Sequence, residues 1–145
     1  MLSELITEQT FLEHVTCRSW EELVEIGGGL LVQNGSIEER FIQSIKDTIA
    51  EFGSYMVLVD DVAFFHGRPE AGVLKTGMSL VLVDTPVYLG KQRIKAAFTF
   101  AATDKTSHLE LMSELAERLQ DEPFLALLRE GKDGKAILKK IQKGA

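Results

Sequence analysis

The residues of this chain with the widest chemical range are three histidines, His14, His66 and His108, and one cysteine, Cys17. An unperturbed imidazole titrates near pH ~6.5, so roughly three-quarters of it is neutral and nucleophilic at pH 7. His66 follows the apolar run from Val62 to Phe65 and is followed at once by Gly67, Arg68 and Pro69. A strand end opening into a Gly/Pro turn displays a side chain on a rigid base. Gly67 would let the backbone come close to a bound group. Arg68 would add a fork of donors suited to phosphate. A neutral imidazole beside such donors suits attack on phosphorus, and a surface turn with an incidental His and Arg explains the same residues equally well.

His108 lies within Ser107-His-Leu-Glu110, a capping-box pattern that would set it at the first helical position. Free N–H groups and a partial positive charge at a helix start favour an anion. There His108 could stabilise a phosphoryl group held on another residue; a helix-start histidine in water is the plainer reading. Nothing in the spacing brings His66 and His108 together. His14 falls in a candidate strand with no chemical neighbour and reads as structural. Cys17, beside Arg18, could be a lowered-pKa thiol but reads as a small core residue. Asp60-Asp61 could form a carboxylate pair for acid/base work or Mg²⁺, but reads as a turn before a strand. No P-loop or Rossmann fingerprint occurs, and Ser79 has no Gly-x-Ser-x-Gly around it.

The elements that must position these residues are legible from periodicity. Phe11 to Cys17 suits a short first strand. Ser19-Trp-Glu-Glu22 is a capping box, followed by Trp20, Leu23, Val24, Leu30 and Leu31 at helical spacing up to Asn34-Gly35. Gly27, Gly28 and Gly29 interrupt that helix at about 1 kcal/mol each relative to Ala; close packing against a neighbour would account for them. Ser36-Ile-Glu-Glu39 is a second capping box. The stripe Phe41, Ile42, Ile45, Ile49 and Phe52 predicts a helix ended by Gly53. Runs at Tyr55 to Val59, Val62 to Phe65, Met78 to Val83 and Ile94 to Ala101 read as strands of a largely buried sheet. Leu109, Met112, Leu115, Ala116 and Leu119 continue the helix opened at Ser107. Pro123 suits the first turn of another, Phe124 to Arg129, and Ala136 to Ile141 forms a last short helix. The order predicts an α+β fold in which helices cover both faces of a mixed sheet.

The 145 residues suit one domain over 1–145 with one core. The start lacks a basic n-region, no apolar run suggests a membrane span, and one cysteine excludes an internal disulfide and a Cys-rich metal site. These features fit a cytoplasmic protein. A net charge of −6 argues against nucleic acid as a partner. The one basic concentration, Lys132 to Lys143, reads as a solvated helix face.

The segment Ser54-Tyr-Met-Val-Leu-Val-Asp-Asp-Val-Ala-Phe-Phe-His66-Gly-Arg-Pro-Glu-Ala-Gly-Val73, followed by Lys-Thr-Gly-Met-Ser-Leu80, resembles the active-site region of the fructose/mannitol-type EIIA family of the bacterial sugar phosphotransferase system. It looks most like the ascorbate-type branch. The likeness continues through Pro86-Val87 to Ala101-Ala-Thr-Asp-Lys-Thr-Ser-His108-Leu-Glu-Leu and is clearest over residues 36–141. The resemblance implies an α/β/α sandwich and a phosphocarrier without metal or organic cofactor. It implies that His66 takes a phosphoryl group from the carrier protein HPr and passes it to a cysteine of the cognate EIIB, with sugar entering through membrane EIIC. His108 would stabilise the transferred charge and Arg68 would assist. Two positions depart from the family pattern. Phe65 stands where Pro usually precedes the histidine, and Thr48 stands near the place where mannitol-type members carry Arg. An EIIA-like regulatory module that senses phosphorylation state and binds protein partners is the alternative. A third reading is a metal enzyme using Asp60, Asp61 and His66.

Overall fold

The segments Asp61–Phe65, Gly77–Leu89 and Gln92–Ala101 bury residues at consecutive positions, and so on both faces of a sheet, which requires a covering layer on each side. The computed structural model describes residues 1–143 apart from the side chain of Ser54. Its strands are β1 (Phe11–Val15), β2 (Val57–Val59), β3 (Asp61–Phe65), β4 (Gly77–Leu89) and β5 (Gln92–Ala101), in the order β1-β4-β5-β3-β2. Pairings β1·β4 and β3·β5 are parallel, while β4·β5 and β2·β3 are antiparallel. The expected mixed sheet is present.

The helices are α1 (Leu2–Leu5), α2 (Trp20–Gln33), α3 (Arg40–Phe52), α4 (Lys105–Arg118), α5 (Glu122–Glu130) and α6 (Gly134–Lys143). Period-2 alternation sorts the strand side chains between two layers. Val62, Phe64, Leu80, Leu82, Phe98 and Phe100 pack with α1, α4, α5 and α6. Ala63, Phe65, Val81, Val83 and Ala97 pack with α2 and α3. Phe65 is fully buried in that second layer and pairs with Thr99 in the parallel ladder. A proline there would carry no N–H for the ladder.

Two of the three central glycines of α2 have a packing reason. A Cβ on Gly27 would lie 2.5 Å from Thr99 Oγ1, and one on Gly28 would lie 2.7 Å from Ile42 Cγ1. Gly29 has nothing within 4 Å. Ser19 caps α2 as expected, its hydroxyl accepting from Glu22 N–H at 3.2 Å.

The other two capping boxes are corrected. Ser36 is buried, and its N–H and hydroxyl both donate to Asn34 Oδ1. Ile37 forms a bridge with Val73, so α3 starts only at Arg40. Helix α4 is capped by Asp104, whose carboxylate accepts from Ser107 N–H at 2.8 Å. Aspartate competes well at that position, and it lies three residues upstream of the serine. Phe52, Leu109 and Tyr55 are exposed rather than part of the predicted apolar stripes or strand. Strand β1 stops at Val15, and β4 runs on through Pro86 to Leu89 with a register shift between Leu82 and Val87. That irregularity is where a strand tolerates proline.

Candidate functional site

Parallel neighbours β3 and β5 end at the same edge of the sheet. The residue after β3 is His66, and the chain leaving β5 turns into α4, which carries His108. Topology therefore brings together two histidines 42 positions apart, which spacing could not reveal. Their ring centroids are 5.2 Å apart and the rings are nearly perpendicular, at 81°. Beneath them lie Phe64 and Phe100, stacked on each other at 4.3 Å. The Phe100 ring is 5.3 Å from His66 and 4.9 Å from His108. These phenylalanines were not among the expected site residues. The signal for Phe64 was present, since residues two apart on a strand share a face.

His66 Nδ1 lies 3.1 Å from the Phe64 carbonyl oxygen. A carbonyl only accepts, so Nδ1 carries the proton and Nε2 keeps its lone pair. Burial pushes the His66 imidazole below its ordinary range; the Phe64 carbonyl opposes this and His108 adds to it. Burial also lowers His108. Both rings are thus held neutral on an apolar floor.

His108 does not occupy the first helical position. It follows Lys105, Thr106 and Ser107 in the first turn, and its N–H bonds the Asp104 carbonyl at 3.1 Å. The Asp104 carboxylate already takes the Ser107 amide, so what His108 presents to His66 is its ring. Arg68 pairs with α3: its guanidinium is 3.7 Å from Glu51 Oε2. Gly67 meets α3 rather than open space for a bound group. A Cβ there would lie 2.8 Å from Ser44 Oγ and 3.0 Å from Ile45 N.

The remaining candidates fall elsewhere. Asp61 begins β3 and His66 follows its end, so about 16 Å of strand separates them. Asp60, Asp61 and His66 do not form the metal set of the third reading, and among the described residues no group of three or more His, Cys, Asp or Glu could hold an ion. Asp61 instead takes two bonds from Arg93, at 2.6 and 3.0 Å. Cys17 is buried, and burial raises its thiol, as expected for a core residue. His14 is exposed but has neighbours, contrary to expectation: Nδ1 lies 3.1 Å from Asp84 Oδ1 and Nε2 3.6 Å from Glu13 Oε1. No helix among the described residues is long and apolar enough to cross a membrane.

Comparison with known proteins agrees with this fold and with the sequence resemblance. The mannitol-specific cryptic phosphotransferase enzyme IIA component of Escherichia coli K12 is 33% identical over 145 residues, 99% of each chain. The ascorbate-specific PTS system EIIA component of Salmonella typhimurium LT2 is 34% identical over 129 residues, 86% of this chain and 84% of its own. The solution structure of the E. coli mannitol-specific cryptic enzyme IIA superimposes with a TM-score of 0.86 over 98% of both chains, at 33% identity. An E. coli enzyme IIA for mannitol, solved in complex with phosphorylated enzyme IIB, shares the fold at a TM-score of 0.83 and 21% identity, over 97% of this chain and all of that one. The family model for the phosphoenolpyruvate-dependent sugar phosphotransferase system, EIIA 2, matches residues 4–144, and the chain belongs to that family of phosphotransferase components.

Proposed function

We propose that His66 is the phosphoryl acceptor of this EIIA component and that Nε2 is the reacting atom. The observation that carries this reading is the Nδ1–H bond to the Phe64 carbonyl on a half-buried ring whose titration burial lowers. That bond fixes the tautomer and the aim of the lone pair, and burial removes the competing proton. In the forward step Nε2 attacks the phosphorus of a phosphohistidine on HPr. The donor's P–N bond breaks and a P–Nε2 bond forms, leaving the donor imidazole its electron pair. The group then passes to a cysteine thiolate of the cognate EIIB, with EIIC beyond it, in keeping with the enzyme IIB bound to the related mannitol protein.

His108 meets His66 edge to face and is suited to donate to a phosphoryl oxygen as charge gathers there. Arg68 is held by Glu51 in a pair exposed on both sides, which costs little to break. It can exchange that carboxylate for an arriving phosphoryl group. The remaining work is positioning and electrostatics.

The test is phosphoryl transfer from phosphoenolpyruvate through enzyme I and HPr, followed by intact mass. Wild type gains one acid-labile phosphoryl group, and His66→Ala gains none while remaining folded. Phosphorylation of the folded His66→Ala protein would overturn the assignment.

A further inference from the structure

The turn that displays His66 must be held still, because a phosphoryl acceptor misplaced by a fraction of an ångström loses rate. Helix α3 is anchored in the core by Phe41, Ile45 and Ile49, all essentially fully buried. Ser44 precedes Ile45 and reaches the turn in two ways. Its Oγ accepts the Arg68 backbone N–H at 3.0 Å. Its Oγ and carbonyl carbon also form the surface on which Gly67 rests, since a Cβ on Gly67 would lie 2.8 and 3.2 Å from them. Farther along, the same loop is tied by Glu38 N–H to the Gly72 carbonyl and by Leu74 N–H to the Ser36 carbonyl, both at 2.8 Å. Those ties lie six or more residues beyond His66. Ser44 holds the chain within two.

From this geometry we infer that Ser44 is a positioning residue for phosphoryl transfer: its hydroxyl fixes the Gly67–Arg68 backbone against α3 and so sets the aim of the His66 ring. The inference rests on His66 being the acceptor. Ser44 touches no reacting atom. It acts through the two residues that follow His66, and the side chain at 67 must be absent for the contact to exist. Without the hydroxyl, the Arg68 N–H loses its partner, the turn lifts from α3, and the ring samples orientations in which Nδ1 no longer meets the Phe64 carbonyl.

The test compares Ser44→Ala with Thr48→Ala in the full chain. Thr48 lies one turn along the same helix, and its hydroxyl donates to the Ser44 carbonyl at 2.8 Å, so its loss perturbs α3 without touching the turn. Three quantities are read: the rate of phosphoryl acceptance from phospho-HPr, the ¹⁵N shifts of the His66 ring, and hydrogen exchange of the Arg68 amide. Ser44→Ala is expected to slow acceptance about five- to tenfold, the effect of one lost hydrogen bond on the aim of the nucleophile. It is also expected to move the ring from the Nδ1–H tautomer toward a mixture and to speed Arg68 exchange. Thr48→Ala is expected to leave all three at wild-type values. The inference is overturned if Ser44→Ala matches wild type in rate and ring shifts, or if Thr48→Ala reproduces its effects. If wild type accepts no phosphoryl group, the functional reading fails, while the ring shifts and amide exchange still decide whether Ser44 sets the ring.

Discussion

The two ends of β3 handle polar groups in opposite ways. At the start, Asp61 is buried with φ of 77° and keeps its charge by pairing with Arg93, with Arg129 3.6 Å away. The Arg93 hydrogen bond holds its carboxyl below the usual carboxylate range. Just past the end, His66 and His108 sit on Phe64 and Phe100, and burial keeps both rings uncharged. A carboxylate paired with a guanidinium has its charge already compensated. An unpaired neutral imidazole has a lone pair to spend, and a charge arriving on it meets a low-dielectric surface where nearby donors count for more. On the proposed function, the His66 end is the reactive one and the Asp61 end a fastening.

That contrast can be broken by substitution at either end. The largest effect expected is complete loss of phosphoryl acceptance in His66→Ala with thermal unfolding still cooperative. Next, His108→Ala should slow acceptance by about 100- to 1,000-fold, the scale of one lost donor to developing charge, and leave the circular dichroism spectrum unchanged. A wild-type rate would remove His108 from the site. At the other end, Asp61→Asn should lower stability by about 1–3 kcal/mol through loss of charge-assisted bonds, measured by urea unfolding. Acceptance per folded molecule should not change; a loss of rate there would mean the two ends are coupled.

The smallest effect concerns pH. Folding lowers the titration of both His66 and His108, so the unfolded chain binds protons first as pH falls. Their contribution costs nothing above the unfolded value of about 6.5 and destabilises progressively as pH drops from there toward the folded values. The melting temperature should fall from pH 7.5 to 5.5, and less steeply in His66→Ala. Equal slopes in the two proteins would show that the ring is not held neutral by the fold.

Much of this was legible in the sequence because it is written locally. The apolar run ending at His66-Gly-Arg-Pro required a strand and a turn, and the periodic stripe of α3 required a helix under the sheet. What stayed hidden depends on residues far apart in the chain. Two parallel strands ending at one edge bring His108 to His66, and no spacing rule states that. The serine at 107 fits a helix-cap pattern, but Asp104 upstream supplies the better acceptor. The Ser36 pattern fails because Ile37 is committed to a bridge with Val73. Gly67 invited a ligand-binding reading, whereas its missing side chain makes room for α3 at Ser44. Arg68, by type a natural hydrogen-bond donor to phosphate, rests on Glu51, a partner 17 residues back on a neighbouring helix.

The central claim is that Nε2 of His66 receives the phosphoryl group because Nδ1 is committed to the Phe64 carbonyl. Long-range ¹H–¹⁵N correlation spectra of the ¹⁵N-labelled protein, recorded before and after phosphorylation, test it directly. The account predicts a neutral Nδ1–H ring beforehand, and afterwards phosphorus coupling and a shifted resonance at Nε2 of His66 alone. A ring protonated at Nε2 beforehand, or phosphorus bonded to Nδ1 or to another residue, would contradict it.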